Sequence, residues 1–437
     1  MDERIVIGVD IGTTKVCALV AAADDLGRIN ILGLGVADSR GLNRGVVVNI
    51  DKTVDAIRQA VAEAERSAGV RGKRVVVGIA GDHIQSFQSR GVITIREGEI
   101  SRDDVERLIE DTRHVAIPAD RKILHVIPQE YSVDGQDGVV DPVGMSGVRL
   151  QADVHIITGL VSATKNVHRC IEKAGYEVAD LVLEPLASSR AVLHREEKEI
   201  GVALVDIGGG TTDVAVFEDG MIRHTAVVAI AGNQVTDDIR RGLAVMREHA
   251  EDLKINHGSA MADLVKDDLM IRIPGIANRP DKQISRTTLA QIIQPRLEEI
   301  LEIVGVEIHR SGYADRLGAG VVLTGGGSMI PGTEVLAAEI LGMETRIGRS
   351  MGLSAGLVEE VSHPKFATGV GLTLMGLKPD GLANNPLLTD VERLAPETEE
   401  PDLEPEASLS SRSNTVGGGR SMLSQIGTRM KEWFEEI

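Results

Sequence analysis

Apolar runs of strand length recur along this chain, and two of them echo each other. Residues 5–11 read Ile-Val-Ile-Gly-Val-Asp-Ile, pass through Gly12-Thr13-Thr14-Lys15, and lead into a second apolar run at 16–20. Residues 202–207 read Val-Ala-Leu-Val-Asp-Ile, pass through Gly208-Gly209-Gly210-Thr211-Thr212-Asp213, and lead into another at 214–217. Each predicts strand, Gly/Thr turn, strand, with a carboxylate (Asp10 or Asp206) second-last before the first glycine. The chain therefore reads as two related halves. A third strand at 320–323 enters Thr324-Gly325-Gly326-Gly327-Ser328 and is followed by a helical stretch at 333–340.

Between the halves, strand candidates at 86–95, 121–133 and 148–157 surround one helix at 101–114, which Ser101, Asp103 and Asp104 start well. Residues 84–162 are thus expected to form a small inserted α+β unit. Residues 233–300 are expected to be mostly helical, with 233–246 and 291–303 the best periodic segments. Beyond Leu377 the pattern breaks. Residues 379–410 carry five of the fourteen prolines, nine acidic residues and one basic residue, which predicts a disordered linker. After Gly417-Gly418-Gly419 the periodicity returns: Met422, Leu423, Ile426, Met430, Trp433, Phe434 and Ile437 line one stripe of an amphipathic helix about 25 Å long.

Composition narrows the function. The chain has 437 residues, 42% hydrophobic and 26% charged, proportions of a multidomain globular protein. Aromatic residues make up only 2%, too few for stacking bases or sugars, and a net charge of −19 repels phosphate backbones and anionic lipid. Nucleic acid is not an expected partner. Cys17 and Cys170 are too few for a disulfide framework or a four-cysteine metal site, and read as buried fillers. The first residues enter an apolar strand without a leader pattern, and no apolar run of about 18 residues exists, so a cytosolic location is expected.

A Gly/Thr turn between strands points several backbone N–H groups one way and lets an anion approach the backbone closely. Asp10 and Asp206 would repel phosphate, but can hold a hydrated Mg²⁺ that bridges to it. Lys15 supplies a compensating positive charge. Two such turns and a third glycine loop point to nucleotide binding. The P-loop and the dinucleotide fingerprint are excluded, since each early turn leads into a strand rather than a helix.

The combination resembles the actin-like ATPase superfamily. Asp10 to Lys15 is similar to its first phosphate motif, Asp206 to Asp213 to its second, and Thr324 to Ser328 to its adenosine motif. Leu183-Glu184-Pro185-Leu186-Ala187 and Ala367-Thr368-Gly369-Val370-Gly371-Leu372 are similar to its two connecting motifs. Within that superfamily the chain resembles the FtsA family of bacterial cell-division proteins. Ala231 to Ile239 is similar to the stretch opening that family's second small subdomain, and Glu251-Asp252-Leu253-Lys254 to the segment facing ribose and purine. The inserted unit and the acidic tether ending in an amphipathic helix are also features of that family.

The resemblance implies an α/β, actin-like two-lobed fold with a duplicated core. Its expected parts are lobe 1 core (1–83), inserted α+β subdomain (84–162), return to lobe 1 (163–198), lobe 2 core (199–230), small helical subdomain (231–303), lobe 2 core with the adenosine motif (304–355), return to lobe 1 (356–378), disordered acidic linker (379–419) and membrane-targeting helix (420–437). It implies ATP held by Gly12, Thr13, Thr14, Lys15, Gly208, Gly209, Gly210, Thr211, Thr212, Gly232, Asn233, Glu251, Lys254, Gly325, Gly326 and Gly327, with Mg²⁺ near Asp10 and Asp206. Glu184 is expected to position water or face the metal. Any hydrolysis is expected to be slow and to serve a conformational or polymerisation switch.

The implied function is a polymerising scaffold, peripheral on the cytoplasmic face of the bacterial plasma membrane, that tethers the tubulin-like FtsZ at the division site and recruits later division proteins. Arg286 and Arg296 are the expected contacts for the acidic C-terminal tail of FtsZ. The seven apolar residues of the terminal helix have a gross ceiling of ~10–20 kcal/mol, of which only part is realised at an interface, so many copies on one polymer are expected to supply the avidity. A sugar or small-acid kinase, or a pilus-assembly adaptor related to the same family, is the alternative; the anchor speaks against both. His83 and His125 are read as satisfied structural residues.

Overall fold

The computed structural model describes residues 4–24, 26–273, 280–377 and the backbone of 391–393. The first two strands, Arg4–Ile11 and Lys15–Ala23, are buried along almost their whole length, as are Val202–Ile207 and Thr212–Glu218. Near-continuous apolar runs mean that these strands have no wet face, so each must be the centre of a sheet covered on both sides.

The two sheets share one plan. In lobe 1 the strands Arg4–Ile11, Lys15–Ala23 and Ile29–Asp38 form an antiparallel meander. Arg74–Ile79 and then Glu177–Leu183 add in parallel on the side of the first strand. In lobe 2 the meander is Val202–Ile207, Thr212–Glu218 and Met221–Val228, and Val321–Thr324 and then Thr345–Ile347 add in parallel on the same side. The edges are finished differently. Lobe 1 adds a parallel strand, Leu353–Gly356, beside Ile29–Asp38, whereas Met221–Val228 remains the edge of its sheet.

Helices Glu184–Val192 and Ala367–Leu377 lie between the sheets, sharing one core with apolar side chains of both lobes. They touch so closely that a Cβ on Gly371 would lie 1.8 Å from the Ala187 carbonyl oxygen, so only glycine fits there. Helices Ile50–Ala68 and Val161–Ala174 cover the outer face of lobe 1. Helices Gly232–Leu243 and Arg286–Arg310 cover that of lobe 2.

The inserted unit is a four-stranded antiparallel sheet in the order Gln136–Val139, Arg121–Val133, Arg149–Leu160, Gln85–Thr94. Helix Arg102–Thr112 packs on one face through Leu108, and Ser101 and Asp104 close a capping box at its start. One part of the helical reading of lobe 2 is corrected. Met270–Ile273 and Lys282–Ser285 form an antiparallel hairpin, and Ile271 and Ile273 are buried while Met270 and Arg272 are exposed, the alternation of a strand. Most of the expected linker and the whole expected terminal helix lie outside the described residues. Within the linker, Val391–Arg393 is described as a short strand antiparallel to Val70–Gly72.

Candidate functional site

The two Gly/Thr turns face each other across a cavity of about 360 Å³, within the range of small-molecule sites. Lobe 2 presents bare backbone to lobe 1. A Cβ on Gly209 would fall 2.3 Å from Thr14 Cγ2, and one on Gly210 would fall 2.4 Å from Thr13 Oγ1. The first turn is braced from behind, where the Gly45 N–H donates to Thr13 Oγ1 at 3.1 Å. The second is braced by the Gly232 and Asn233 N–H groups, which donate to the Gly208 and Gly209 carbonyls at 3.1 and 2.8 Å. Gly325, Gly326 and Gly327 close a third side, and the Gly325 N–H is anchored on the Pro364 carbonyl.

Lys15 reaches into this space. Its Nζ is buried, lies 3.6 Å from Asp10 Oδ2 and 5.0 Å from the centre of the Phe366 ring, and has no hydrogen-bond partner among the described residues. Asp10 compensates its charge, but a buried ammonium whose three donors lack close acceptors still gains from any that a ligand supplies. A polyphosphate in the cavity fits that need, because the turns offer backbone donors and Lys15 a point charge.

The family description "Cell division protein FtsA" matches residues 203–371, and "SHS2 domain inserted in FTSA" matches residues 81–158. The cell division protein FtsA of Pseudomonas aeruginosa is 46% identical over 382 residues, covering 87% of this chain and 91% of that protein. The chain belongs to the FtsA family. Solved structures show the same fold at low identity. The PilM-PilN type IV pilus biogenesis complex matches at 17% identity with a TM-score of 0.62, covering 86% of this chain and 99% of that one. MreB5 of Spiroplasma citri bound to ADP matches at 15% identity with a TM-score of 0.52, covering 85% and 96%. The fold is thus actin-like, with the expected inserted subdomain.

Besides Glu251, four carboxylates line the cavity: Asp10, Glu184, Asp206 and Asp213. Burial pushes all four above the usual range, opposed at Asp10 by the Lys15 ammonium. The charge of Asp10 adds to the effect at Asp206, which is pushed up to about 6 although Thr368 Oγ1 donates to its Oδ2 at 3.3 Å. Glu184 and Asp213 are likewise raised well above the ordinary carboxylate range by burial, with the neighbouring carboxylates adding to it. Burial would lower Lys15, but the acidic groups around it, Cys17 and then Asp10 and Asp206, outweigh it and leave it above its ordinary value. Surplus buried negative charge of this kind fits a divalent cation. No three His, Cys, Asp or Glu side chains among the described residues are grouped to ligate a metal directly. Mg²⁺ keeps most of its waters and takes only one or two carboxylates, so Asp10 and Asp206 would be enough to hold it.

Most of the expected residues line the cavity: Asp10, Gly12, Thr13, Thr14, Lys15, Glu184, Asp206, Gly208, Gly209, Gly210, Thr211, Gly232, Glu251, Lys254 and the three glycines from Gly325. Lys254 is held by Glu251, by Thr236 Oγ1 at 2.9 Å and by the Gly232 carbonyl at 3.2 Å. Two expected residues do not line it. Thr212 begins a strand and turns away, donating to the Ile230 carbonyl at 2.7 Å, and Asn233 serves through its backbone. Asp213, Thr368, Lys365, Ile255 and Met329 line the cavity without having been singled out. Asp213 had a signal, since it pairs with Asp206 across the hairpin where Cys17 pairs with Asp10. Thr368 lay inside a quoted motif; Lys365 and Ile255 had none.

Arg286 and Arg296 lie outside this cavity, at the start and middle of the Arg286–Arg310 helix. Arg296 Nε donates to Asp238 Oδ2 at 2.6 Å and its Nη1 to Glu299, while Arg286 Nε reaches the His257 carbonyl at 3.4 Å. Cys17 and Cys170 are buried free thiols, each pushed up to about 11 by burial. His125 is satisfied, accepting from the Leu183 N–H at 3.1 Å. His83 corrects its reading: it is buried with neither ring nitrogen bonded to a described residue.

Proposed function

We propose that this FtsA-family chain is an ATP-dependent division scaffold that polymerises, holds FtsZ at the cytoplasmic face of the plasma membrane and recruits later division proteins. The observation that carries the nucleotide part is the buried Lys15 ammonium between two opposed glycine turns, ion-paired with Asp10 at 3.6 Å but without a close hydrogen-bond acceptor. Bound ATP supplies a transferable γ-phosphate; the chain supplies what holds it. Backbone N–H groups of the turns and Lys15 bind the phosphates, Asp10 and Asp206 hold hydrated Mg²⁺, and Glu184 orients a water. Burial, with the neighbouring carboxylates, raises Glu184 well above an ordinary carboxylate, so it takes up a proton more readily than an exposed glutamate would. Slow hydrolysis then biases open and closed states of the two lobes.

The membrane part rests on the stripe of Met422, Leu423, Ile426, Met430, Trp433, Phe434 and Ile437 in the sequence. No helix among the described residues is long and apolar enough to cross a membrane. Mixed charges around the stripe favour apolar insertion over attraction to anionic lipid. Vesicle flotation with ATP, comparing the full chain with one ending at Gly419, tests this. Flotation of the full chain alone is expected; if neither floats at any protein concentration, the anchoring role is wrong. The acidic FtsZ tail is proposed to meet the Arg286 face, with Arg296 exchanging Asp238 and Glu299 for the peptide.

A further inference from the structure

Glu184 stands at a junction with little support of its own. The strand Glu177–Leu183 ends there, the helix starts at Glu184, and Leu183 offers no side-chain cap. The Leu183 N–H points instead into the inserted subdomain and donates to His125 Nε2 at 3.1 Å. His125 is only 2% exposed, on the strand Arg121–Val133. An Nε2 that accepts must carry no proton, so the imidazole is neutral with its hydrogen on Nδ1. Burial and the nearby Arg113 charge keep it so, pushing it down to about 4.

The same sheet also grips lobe 2. Gln129, four residues along the His125 strand, donates to the Ile222 carbonyl at 2.5 Å. Ser86 donates to the Thr225 carbonyl at 2.9 Å, and His155 Nε2 lies 3.0 Å from Thr225 Oγ1. Ile222 and Thr225 belong to the edge strand of lobe 2, whose neighbour Thr212–Glu218 carries Asp213. One rigid sheet therefore holds the backbone beside Glu184 and the edge of the opposite lobe.

We propose that His125 is a positioning residue for Glu184, and that through Gln129 it ties the setting of Glu184 to the place of lobe 2. The inference rests on the water-orienting role of Glu184. It makes the inserted subdomain a coupling element of the nucleotide site.

The test compares the full-length chain with H125L, H125N, H125Q, Q129L and E184Q. Gln places its Oε1 as far along the side chain as the histidine Nε2 and can accept from Leu183; Asn is too short and Leu accepts nothing. Amide exchange across 177–192 is read without nucleotide, and single-turnover hydrolysis of bound ATP is followed over hours. H125L and H125N are expected to speed exchange at Leu183 and slow hydrolysis about tenfold, with ATP affinity within about twofold of wild type. H125Q is expected to restore both, and Q129L to slow hydrolysis two- to threefold.

If H125L does not fold, H125N against H125Q decides alone. Wild-type hydrolysis in H125N while E184Q is slow overturns the inference but leaves Glu184 in its role. Wild-type hydrolysis in E184Q removes that role and the inference with it. Joint loss of affinity, turnover and thermal midpoint in both H125N and H125Q makes His125 merely structural and overturns it too.

Discussion

The two glycine turns occupy the same place in two copies of one sheet plan, yet they contribute opposite things. Lobe 1 offers side chains: the Thr13 and Thr14 hydroxyls and the Lys15 ammonium, with a buried thiol, Cys17, opposite Asp10. Lobe 2 offers bare backbone at Gly209 and Gly210, with a second carboxylate, Asp213, opposite Asp206. The pairing is steric as well as electrical, because the glycines of one turn sit where the threonines of the other leave no room. A duplicated scaffold thus acquires a direction without any change of topology. The edges repeat the lesson: lobe 1 closes its edge with another strand, lobe 2 with side chains from the inserted subdomain.

The largest expected effect breaks the steric side of the comparison. G210V places a branched side chain on Thr13 and is expected to weaken ATP binding at least ~100-fold by fluorescence titration, whereas T13A, which only removes atoms, costs less than ~10-fold. Equal losses from the two would show that the turns do not need each other's shape.

Next is the edge of lobe 2, held in part by His155. Burial, with the His224 charge, pushes His155 down to about 4. An unfolded histidine takes up its proton near 6.5 and the folded one does not, so stability is complete above 6.5 and falls as pH drops from 6.5 towards 4, by up to ~3 kcal/mol. Thermal midpoints across that window should fall more steeply for wild type than for H155Q, and amide exchange should rise first in Met221–Val228.

A smaller effect of opposite sign concerns Asp206. Its folded value of about 6 exceeds the unfolded one, so without a cation it costs stability as pH rises from 3.8 to 6 and throughout the range above. D206N is expected to stabilise the nucleotide-free chain by about 1–2 kcal/mol at pH 7, after loss of its bond from Thr368, while Mg²⁺-dependent ATP affinity falls. Calorimetry with and without Mg²⁺ checks both halves. The smallest effect lies at the helix surface, where R286E should weaken an acidic FtsZ-tail peptide a few-fold in anisotropy titrations. R296E should do less, since Arg296 already pairs with Asp238.

Most of the fold was legible because its signals are local. Strand–turn–strand echoes, a capping box at Ser101 and the apolar runs of the insert each lie within about a dozen residues. The hairpin Met270–Ile273/Lys282–Ser285 was not, because four-residue strands give only two turns of alternation. At the site, motif spacing located the turns but not which hydroxyl faces inward. Thr211 and Thr212 are neighbours, and where a strand begins successive side chains point opposite ways, so one meets the cavity and the other Ile230. Lys365 and Ile255 arrive through tertiary packing from segments with no phosphate pattern. The bond from Leu183 to His125 joins residues 58 apart, a separation that no periodicity encodes.

The inserted subdomain leaves and re-enters lobe 1 at one point, for Gln85 and Thr158 are paired partners on adjacent antiparallel strands. This bears on the order of folding. The parallel strands Arg74–Ile79 and Glu177–Leu183 must find each other across nearly a hundred residues, a slow search. An insert that folds first on its own contacts shortens that search to residues 80–84 and 159–176 outside its paired ends, lowering the closure cost by roughly 1 kcal/mol. The excursion that delivers His125 to the site would then also speed assembly of the sheet it interrupts.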